Sequence, residues 1–160
     1  MKGNGNGNMN GKTVKDSQIE VTHIVRPSDL NAADRLFGGT LLSWIDEAAY
    51  LAARRHSNKN VTTVSINNLK FLQGAFLKDV IVLKGKVTYV GNTSMEVKME
   101  TFVEHLDGTR NLVNVAYINF VALDENGRPS KIPGLILETD EEKEEWEKAK
   151  VRRDFCKNNC

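Results

Sequence analysis

Asn31-Ala32-Ala33-Asp34-Arg35-Leu36-Phe37-Gly38-Gly39-Thr40-Leu41-Leu42-Ser43-Trp44-Ile45-Asp46-Glu47-Ala48-Ala49-Tyr50-Leu51-Ala52-Ala53-Arg54-Arg55-His56 is the stretch that decides how this chain folds. From Thr40 onward its apolar residues return with a helical period. Leu41, Ile45, Ala48 and Ala52 form one stripe, and Leu42, Ala49 and Ala53 form an adjoining one. Ser43, Glu47, Tyr50 and Arg54 lie opposite. The pattern predicts an amphipathic helix of roughly four to five turns. Asp46 breaks it, because it falls one turn after Leu42 and two turns after Gly39, inside the small apolar stripe. A carboxylate there is costly to bury unless something hydrogen-bonds it. Two readings stay open: a functional carboxylate, or one at the stripe's edge that meets water. Gly38-Gly39 puts backbone without Cβ at the helix start, where N–H groups lack partners and the dipole favours negative charge. A carbonyl oxygen developing negative charge suits that position. A tight turn into the helix explains the pair equally well.

Outward from the helix, Ser17 to Arg26 alternates Ile19, Val21, His23 and Val25 against polar neighbours, a strand ended by Pro27. His23 shares the valine face with no acidic or nucleophilic partner beside it, which favours a structural role. Asn31 closes the loop Ser28-Asp29-Leu30-Asn31, and by residue type alone it is expected to form an Asx-turn. Residues 1–15 are rich in Gly, Asn and Lys and read as a disordered tail, leaving 16–155 as the folded domain.

Beyond the turn Ser57-Asn58-Lys59-Asn60 the chain is β-rich. Val61 to Phe71 alternates imperfectly, with a bulge expected at Asn67-Asn68. Strands from Asp79 to Val90 and from Ser94 to Glu104 flank Gly91-Asn92-Thr93. In the second, Met95, Val97, Met99, Thr101 and Val103 face one way, and Glu96, Lys98, Glu100 and Glu104 the other, as in a half-exposed strand. Leu112 to Leu123 is almost continuously apolar and belongs in the middle of its sheet. Pro129 and Pro133 mark an extended crossing segment. Thr139-x-x-Glu142 is a capping box opening a charged helix from Asp140 to about Asp154. Its acids come first and its bases last, which suits the dipole and a solvated surface helix.

Composition removes several classes. A chain of 160 residues is one domain, with 40% hydrophobic and 27% charged residues as in an ordinary globular protein. A net charge of +1 offers no footprint for nucleic acid. No apolar run approaches the ~20 residues of a membrane span, and no signal-peptide core follows Met1. Cys156 and Cys160, at the C-terminal end without nearby histidines, make neither a disulfide framework nor a metal site, which points to a reducing, cytoplasmic setting. The element order predicts an α+β fold: a curved antiparallel sheet wrapped around one central helix, plus a C-terminal helix. One helix cannot cover both faces, so self-association is expected to bury the remainder.

Several motifs occur in order and at matching separations. They are Arg26-Pro27-Ser28-Asp29-Leu30-Asn31, Leu36-Phe37-Gly38-Gly39, Ile45-Asp46-Glu47-Ala48-Ala49 and Val61-Thr62-Thr63. Phe71 ends a strand, Val90-Gly91-Asn92-Thr93-Ser94-Met95-Glu96-Val97 follows, and Ile132-Pro133 leads to Thr139-Asp140-Glu141-Glu142-Lys143. On these, from about residue 17 to 153, the chain resembles the hotdog-fold acyl-CoA thioesterases. The likeness is to the acyl-CoA hydrolase branch of bacterial short- and medium-chain enzymes and the animal brain-type enzyme. Two departures stand out: the family often has Gly at Asp34, and Gly-Asp at Lys78-Asp79.

The resemblance implies hydrolysis of an acyl-CoA thioester to free acid and CoA. Asp46 would act as general base or nucleophile, and Asn31 would orient water or the carbonyl from across a dimer interface. The N–H of Gly39 would hold the oxyanion, with Gly38 beside it. For the substrate's CoA portion the implied contacts are Thr62, Gly91, Thr93 and Ser94, with Arg54, Arg55 and the basic end of the last helix toward its phosphates. No cofactor and no metal is implied beyond that CoA, no nucleic acid or membrane partner, and a homo-oligomer that is a dimer or a trimer of dimers. Two rival readings are weaker. A hotdog hydratase or dehydratase uses an Asp–His pair, and none of His23, His56 and His105 sits at the helix start. A non-catalytic acyl-CoA sensor needs an output domain, for which 160 residues leave no room.

Overall fold

Period-2 strands bury their apolar sides only if something lies across them, and here that element is the alanine-rich helix. The computed structural model describes residues 11–159. In chain order these form β1 (Lys12–Thr13), α1 (Val14–Ser17), β2 (Ile19–Ile24), α2 (Gly38–Ser57), β3 (Asn60–Phe71) and β4 (Val80–Val90). β5 (Ser94–Glu104), β6 (Arg110–Leu123), β7 (Leu135–Ile136) and α3 (Asp140–Asn159) follow. Five strands pair antiparallel in the order β2-β4-β5-β6-β3, and β1 pairs with β7 in a separate parallel ribbon. The hotdog expectation holds: α2 lies across the inner face, with Ile45, Ala49, Ala52 and Ala53 sealed against Leu83, Met95, Val97, Met99, Ile118 and Phe120.

Several expectations need correcting. Of the supposed tail, residues 1–10 lie outside the described residues, but 11–15 are structured. Val14 is buried, and the Lys12 ammonium reaches the Arg55 carbonyl and Asn58 Oδ1 at the end of α2. A cation there offsets the negative end of the helix dipole, so the segment is ordered by this charge together with the burial of Val14 and the pairing of β1 with β7. The apolar β6 is an interior strand, but β5 is the middle one.

The last helix is longer than expected and is not solvated along its length. Its capping box forms, with Thr139 Oγ1 accepting from the Glu142 N–H at 3.1 Å and Glu142 Oε2 accepting from the Thr139 N–H at 3.3 Å. It then lies on the sheet's outer face over the charged side of β5. Arg152 grips the buried Glu96 carboxylate through Nη2 at 2.7 Å and Nε at 3.1 Å, and its guanidinium lies 3.7 Å from the Tyr117 ring centre. Lys98 meets Glu145 at 2.8 Å. Burial works against the Lys98 charge, but the Glu145 bond outweighs it and holds the ammonium's pKa above the ordinary lysine value. Charges that alternation assigns to solvent are therefore paired beneath a helix.

The expected bulge is present, since Asn67 pairs with Tyr117 and Lys70 with Val115, with Asn68 at φ 54°. A second irregularity falls between Thr63 and Ser65. Both departures from the family's glycines adopt left-handed backbone, Asp34 at φ 56° and Lys78 at φ 71°. Asp tolerates that region through its short polar side chain, whereas Lys has no such excuse. Lys78→Gly is expected to raise stability by up to ~1 kcal/mol, about 2–4 °C in Tm, with a smaller gain for Asp34→Gly; thermal melts of both variants check the order.

His56 is fully buried at the end of α2, where Nε2–H donates to the Pro133 carbonyl at 2.8 Å and Nδ1 has no partner among the described residues. Burial holds its pKa below the ordinary histidine value, against the raising effect of the Pro133 bond and of Asp16 and with the help of Lys12. The unfolded chain therefore binds the proton more readily, and the histidine's contribution is complete above about pH 6.5 and lost as pH falls below it. Melting temperature between pH 7.5 and 5.5 is expected to drop more steeply for the native protein than for His56→Gln.

Candidate active site

Two carbonyls set the entry to α2. The Phe37 N–H donates to the Asp29 carbonyl and the Leu36 N–H to that of Ala75, each at 2.8 Å, which fixes the chain just before Gly38. The Phe37 N-cap offers no side-chain hydrogen bond, and the first turn carries no acidic residue. The first-turn N–H groups, which have no intrahelical acceptor, thus keep their partial positive charge. The two glycines differ in kind. A Cβ on Gly39 would fall 2.6 Å from the Phe37 ring, whereas one on Gly38 would sit 3.6 Å from Phe71, an ordinary contact.

Asp46 lies on the third turn of α2, between the sealed Ile45 and the exposed Glu47, and is itself half-buried. Of the two sequence readings, its position matches the edge of the stripe, yet it is held there: Thr63 Oγ1 donates to Asp46 Oδ1 at 2.8 Å. Oδ2 has no hydrogen-bond partner among the described residues. Sequence reasoning singled out Thr62 and missed Thr63. The signal was available, because Val61 points inward and Thr63 shares its face by period 2, while Thr62 faces away from α2.

Asn31 forms the expected Asx-turn. Its Oδ1 accepts from the N–H groups of Ala33 at 2.9 Å and Arg35 at 3.2 Å, and its own N–H donates to the Arg35 carbonyl at 2.8 Å. The amide is thereby oriented with Nδ2 available to donate outward. No hydrogen bond joins Asn31 to Asp46 within the protomer, among the described residues.

The residues implied for CoA gather at the other end of α2, but on two faces. Thr62, Val121 and Ser94 form one rung on the outer face, where Arg153 Nη1 donates to Ser94 Oγ at 2.8 Å. A Cβ on Gly91 would lie 3.1 Å from Arg153 Nη2, so that glycine makes room for the guanidinium. The Thr93 carbonyl accepts from the Ala122 N–H at 2.9 Å. Arg54 and Arg55 instead line an open concavity of about 810 Å³ with Asn58 and Lys59, on the helix side. They stand fifteen and sixteen residues past Gly39, about 22–24 Å along the helix. Among the described residues no cluster of His, Cys, Asp and Glu is placed to hold a metal ion.

A carboxylate with one oxygen pinned, on the same helix as a start whose N–H groups are unopposed, supplies the two parts needed to add water to a polarised carbonyl. Residues 34–107 match the Thioesterase superfamily. An uncharacterized acyl-CoA thioester hydrolase of Bacillus subtilis is 41% identical over 129 residues, which is 80% of this chain and 75% of that one. The chain belongs to the acyl-CoA thioester hydrolase family. A hexameric acyl-CoA thioesterase superposes with a TM-score of 0.89 at 37% identity, covering 93% of this chain and 96% of that one. An acyl-CoA hydrolase from Staphylococcus aureus, solved with butyryl-CoA and CoA, superposes with a TM-score of 0.87 at 32% identity, covering 92% and 90%. The chain spans 38% of the length of the human cytosolic acyl coenzyme A thioester hydrolase, to which it is 31% identical over 143 residues.

Proposed function

We propose that this chain hydrolyses acyl-CoA thioesters, with Asp46 as the carboxylate that activates water. The observation that carries the reading is Asp46 itself: Thr63 fixes one oxygen, and the other has no hydrogen-bond partner among the described residues. Water gives a proton to Asp46 and its oxygen adds to the thioester carbon. The resulting oxyanion accepts from the Gly39 N–H, and collapse expels the CoA thiolate, which takes the proton back from Asp46. A carboxylate, backbone donors and water suffice, so no cofactor is needed beyond the CoA that the substrate carries. Solved variants of the Staphylococcus aureus hydrolase replace an Asn, an Asp and a Thr by Ala, at positions fifteen and then seventeen residues apart. Asn31, Asp46 and Thr63 have the same separations, which supports the assignment.

Asn31 reaches the reaction from a second protomer. β3 ends the sheet, and Phe37, Val64, Phe71, Leu72 and Phe76 near it are each more than half exposed. An open edge strand with large apolar side chains is an unstable surface unless covered. A second copy related by a two-fold axis covers it and brings Asn31 Nδ2 toward the partner's open carboxylate oxygen. Hexameric thioesterases among the similar structures support further assembly into a trimer of dimers. Arg54, Arg55 and Arg153 stand ready for the CoA phosphates. No helix among the described residues is long and apolar enough to cross a membrane, and the reading places the protein in the cytoplasm.

Asp46→Asn retains shape and removes the base, so kcat for thiol release should fall by ~10² or more, whereas Thr63→Val should cost roughly ten-fold. A folded Asp46→Asn protein with native kcat sinks the assignment. Asn31→Ala and Asp46→Ala proteins, each inactive alone, are expected to regain activity when mixed under verified subunit exchange. Absence of recovery would place both residues in one protomer's site.

A further inference from the structure

One rung crosses all five strands. Val21 pairs with Leu83, Leu83 with Thr101, Thr101 with Asn114, and Asn114 with Phe71. These side chains share the inner face beneath the first half of α2, and the Phe71 ring reaches Gly38. Its ends are apolar, but its middle holds two polar side chains, each fully buried. Each leaves an oxygen unsatisfied: Thr101 Oγ1 and Asn114 Oδ1 have no hydrogen-bond partner among the described residues. The amide's orientation is not arbitrary, because Nδ2 donates to the Lys70 carbonyl at 2.6 Å across the β3 bulge, which leaves Oδ1 turned away.

Burying an oxygen without a partner costs ~1–3 kcal/mol, and such groups are few in native proteins. Valine and leucine would fill these positions without that cost, as they do at Val21 and Leu83. The Lys70 bond accounts for the Asn114 amide N–H, but it accounts for neither oxygen. What the two oxygens lack is defined by their chemistry. Asn114 Oδ1 can only accept, and the Thr101 hydroxyl has a proton to give. A single hydroxyl placed between them donates to the first and accepts from the second. Phe71, the neighbouring rung member, is half exposed and its ring is set against Gly38, which links the rung to the place where the thioester is to be held.

We infer that Thr101 and Asn114 form a polar end to the acyl pocket that holds one hydroxyl group, supplied by a hydroxylated acyl chain or by a bound water that stops an unsubstituted one. The inference rests on the thioesterase reading above and adds the class of acyl group selected. A site built to hydrogen-bond a substrate hydroxyl discriminates strongly against the analogue without it, whereas one methylene in an apolar pocket is worth only about 10–200-fold.

The test measures thiol release from straight-chain acyl-CoAs of increasing length and from the 3- to 6-hydroxyhexanoyl-CoA isomers. The native protein, Thr101→Val (same shape, no hydroxyl) and Thr101→Ser (hydroxyl kept) are compared, with thermal melts alongside. If substrate supplies the hydroxyl, one isomer exceeds hexanoyl-CoA in kcat/KM by about ten-fold or more. The preference disappears in the Val variant and survives in the Ser variant. If water supplies it, no isomer is preferred, but the chain-length limit lengthens in the Val variant only. Hydrolysis with the same length profile and hydroxyl ratio in all three proteins overturns the inference and leaves the thioesterase intact. No thiol release from any acyl-CoA by the folded native protein overturns both.

Discussion

Everything in this fold depends on how closely α2 can sit on the sheet. Ala48, Ala49, Ala52 and Ala53 are all sealed from solvent, and their single methyl groups let the helix axis approach strands whose own inner side chains are large. Interior packing is as dense as an organic crystal, so a bulkier stripe would lift the helix. Only at that distance does a side chain as short as Asp46 reach Thr63 on β3. The helix start is fixed by the loop before it and the helix end by Lys12 and His56, so the carboxylate's position is determined along the axis as well as above the sheet.

The outer face solves a different problem. A sheet with one helix leaves half its surface uncovered, and α3 covers part of it with Trp146 and Ala149 and with paired charges. Glu96 is almost fully buried and survives because Arg152 holds both oxygens and Thr88 donates to one of them at 2.7 Å. Such a pair adds little against a hydrophobic substitute, but removing one partner typically costs 3–5 kcal/mol. Its contribution is specificity of docking: α3 has one register in which its arginines meet Glu96, Tyr117 and Ser94. The outer-face contacts at Gly91 and Ser94 therefore depend on a helix sixty residues further along the chain.

The inner face carries the opposite arrangement, an apolar surface with few polar interruptions. Asp46, Thr63, Thr101 and Asn114 all point into the space between α2 and the sheet, at or near the helix's first half. Polar atoms in such a place require partners. Asp46 has one within the chain, and Thr101 and Asn114 leave oxygens without any among the described residues.

By itself the sequence determined the period of α2, the alternation of the strands, the bulge at Asn68, the Thr139–Glu142 capping box and the Asx-turn at Asn31. Each is set by dihedral preferences and hydrogen bonds within a few residues, so neighbours in the chain suffice to predict it. It also marked Asp46, because a charge in an apolar stripe is visible without knowing what lies opposite. That Thr63 rather than Thr62 holds that carboxylate was legible only in part: alternation puts Thr63 on the face of Val61, and the packing of β3 on α2 decides that this face meets Asp46. Tertiary structure alone ordered residues 11–15, where one buried valine, pairing with β7 and a distant helix end hold a segment that is mostly polar. It also covered the charged side of β5 with α3, where alternation could show only that those residues share a face. Contacts between residues far apart in sequence follow from the packing of whole elements, and pairing energies of that kind leave no period in the chain.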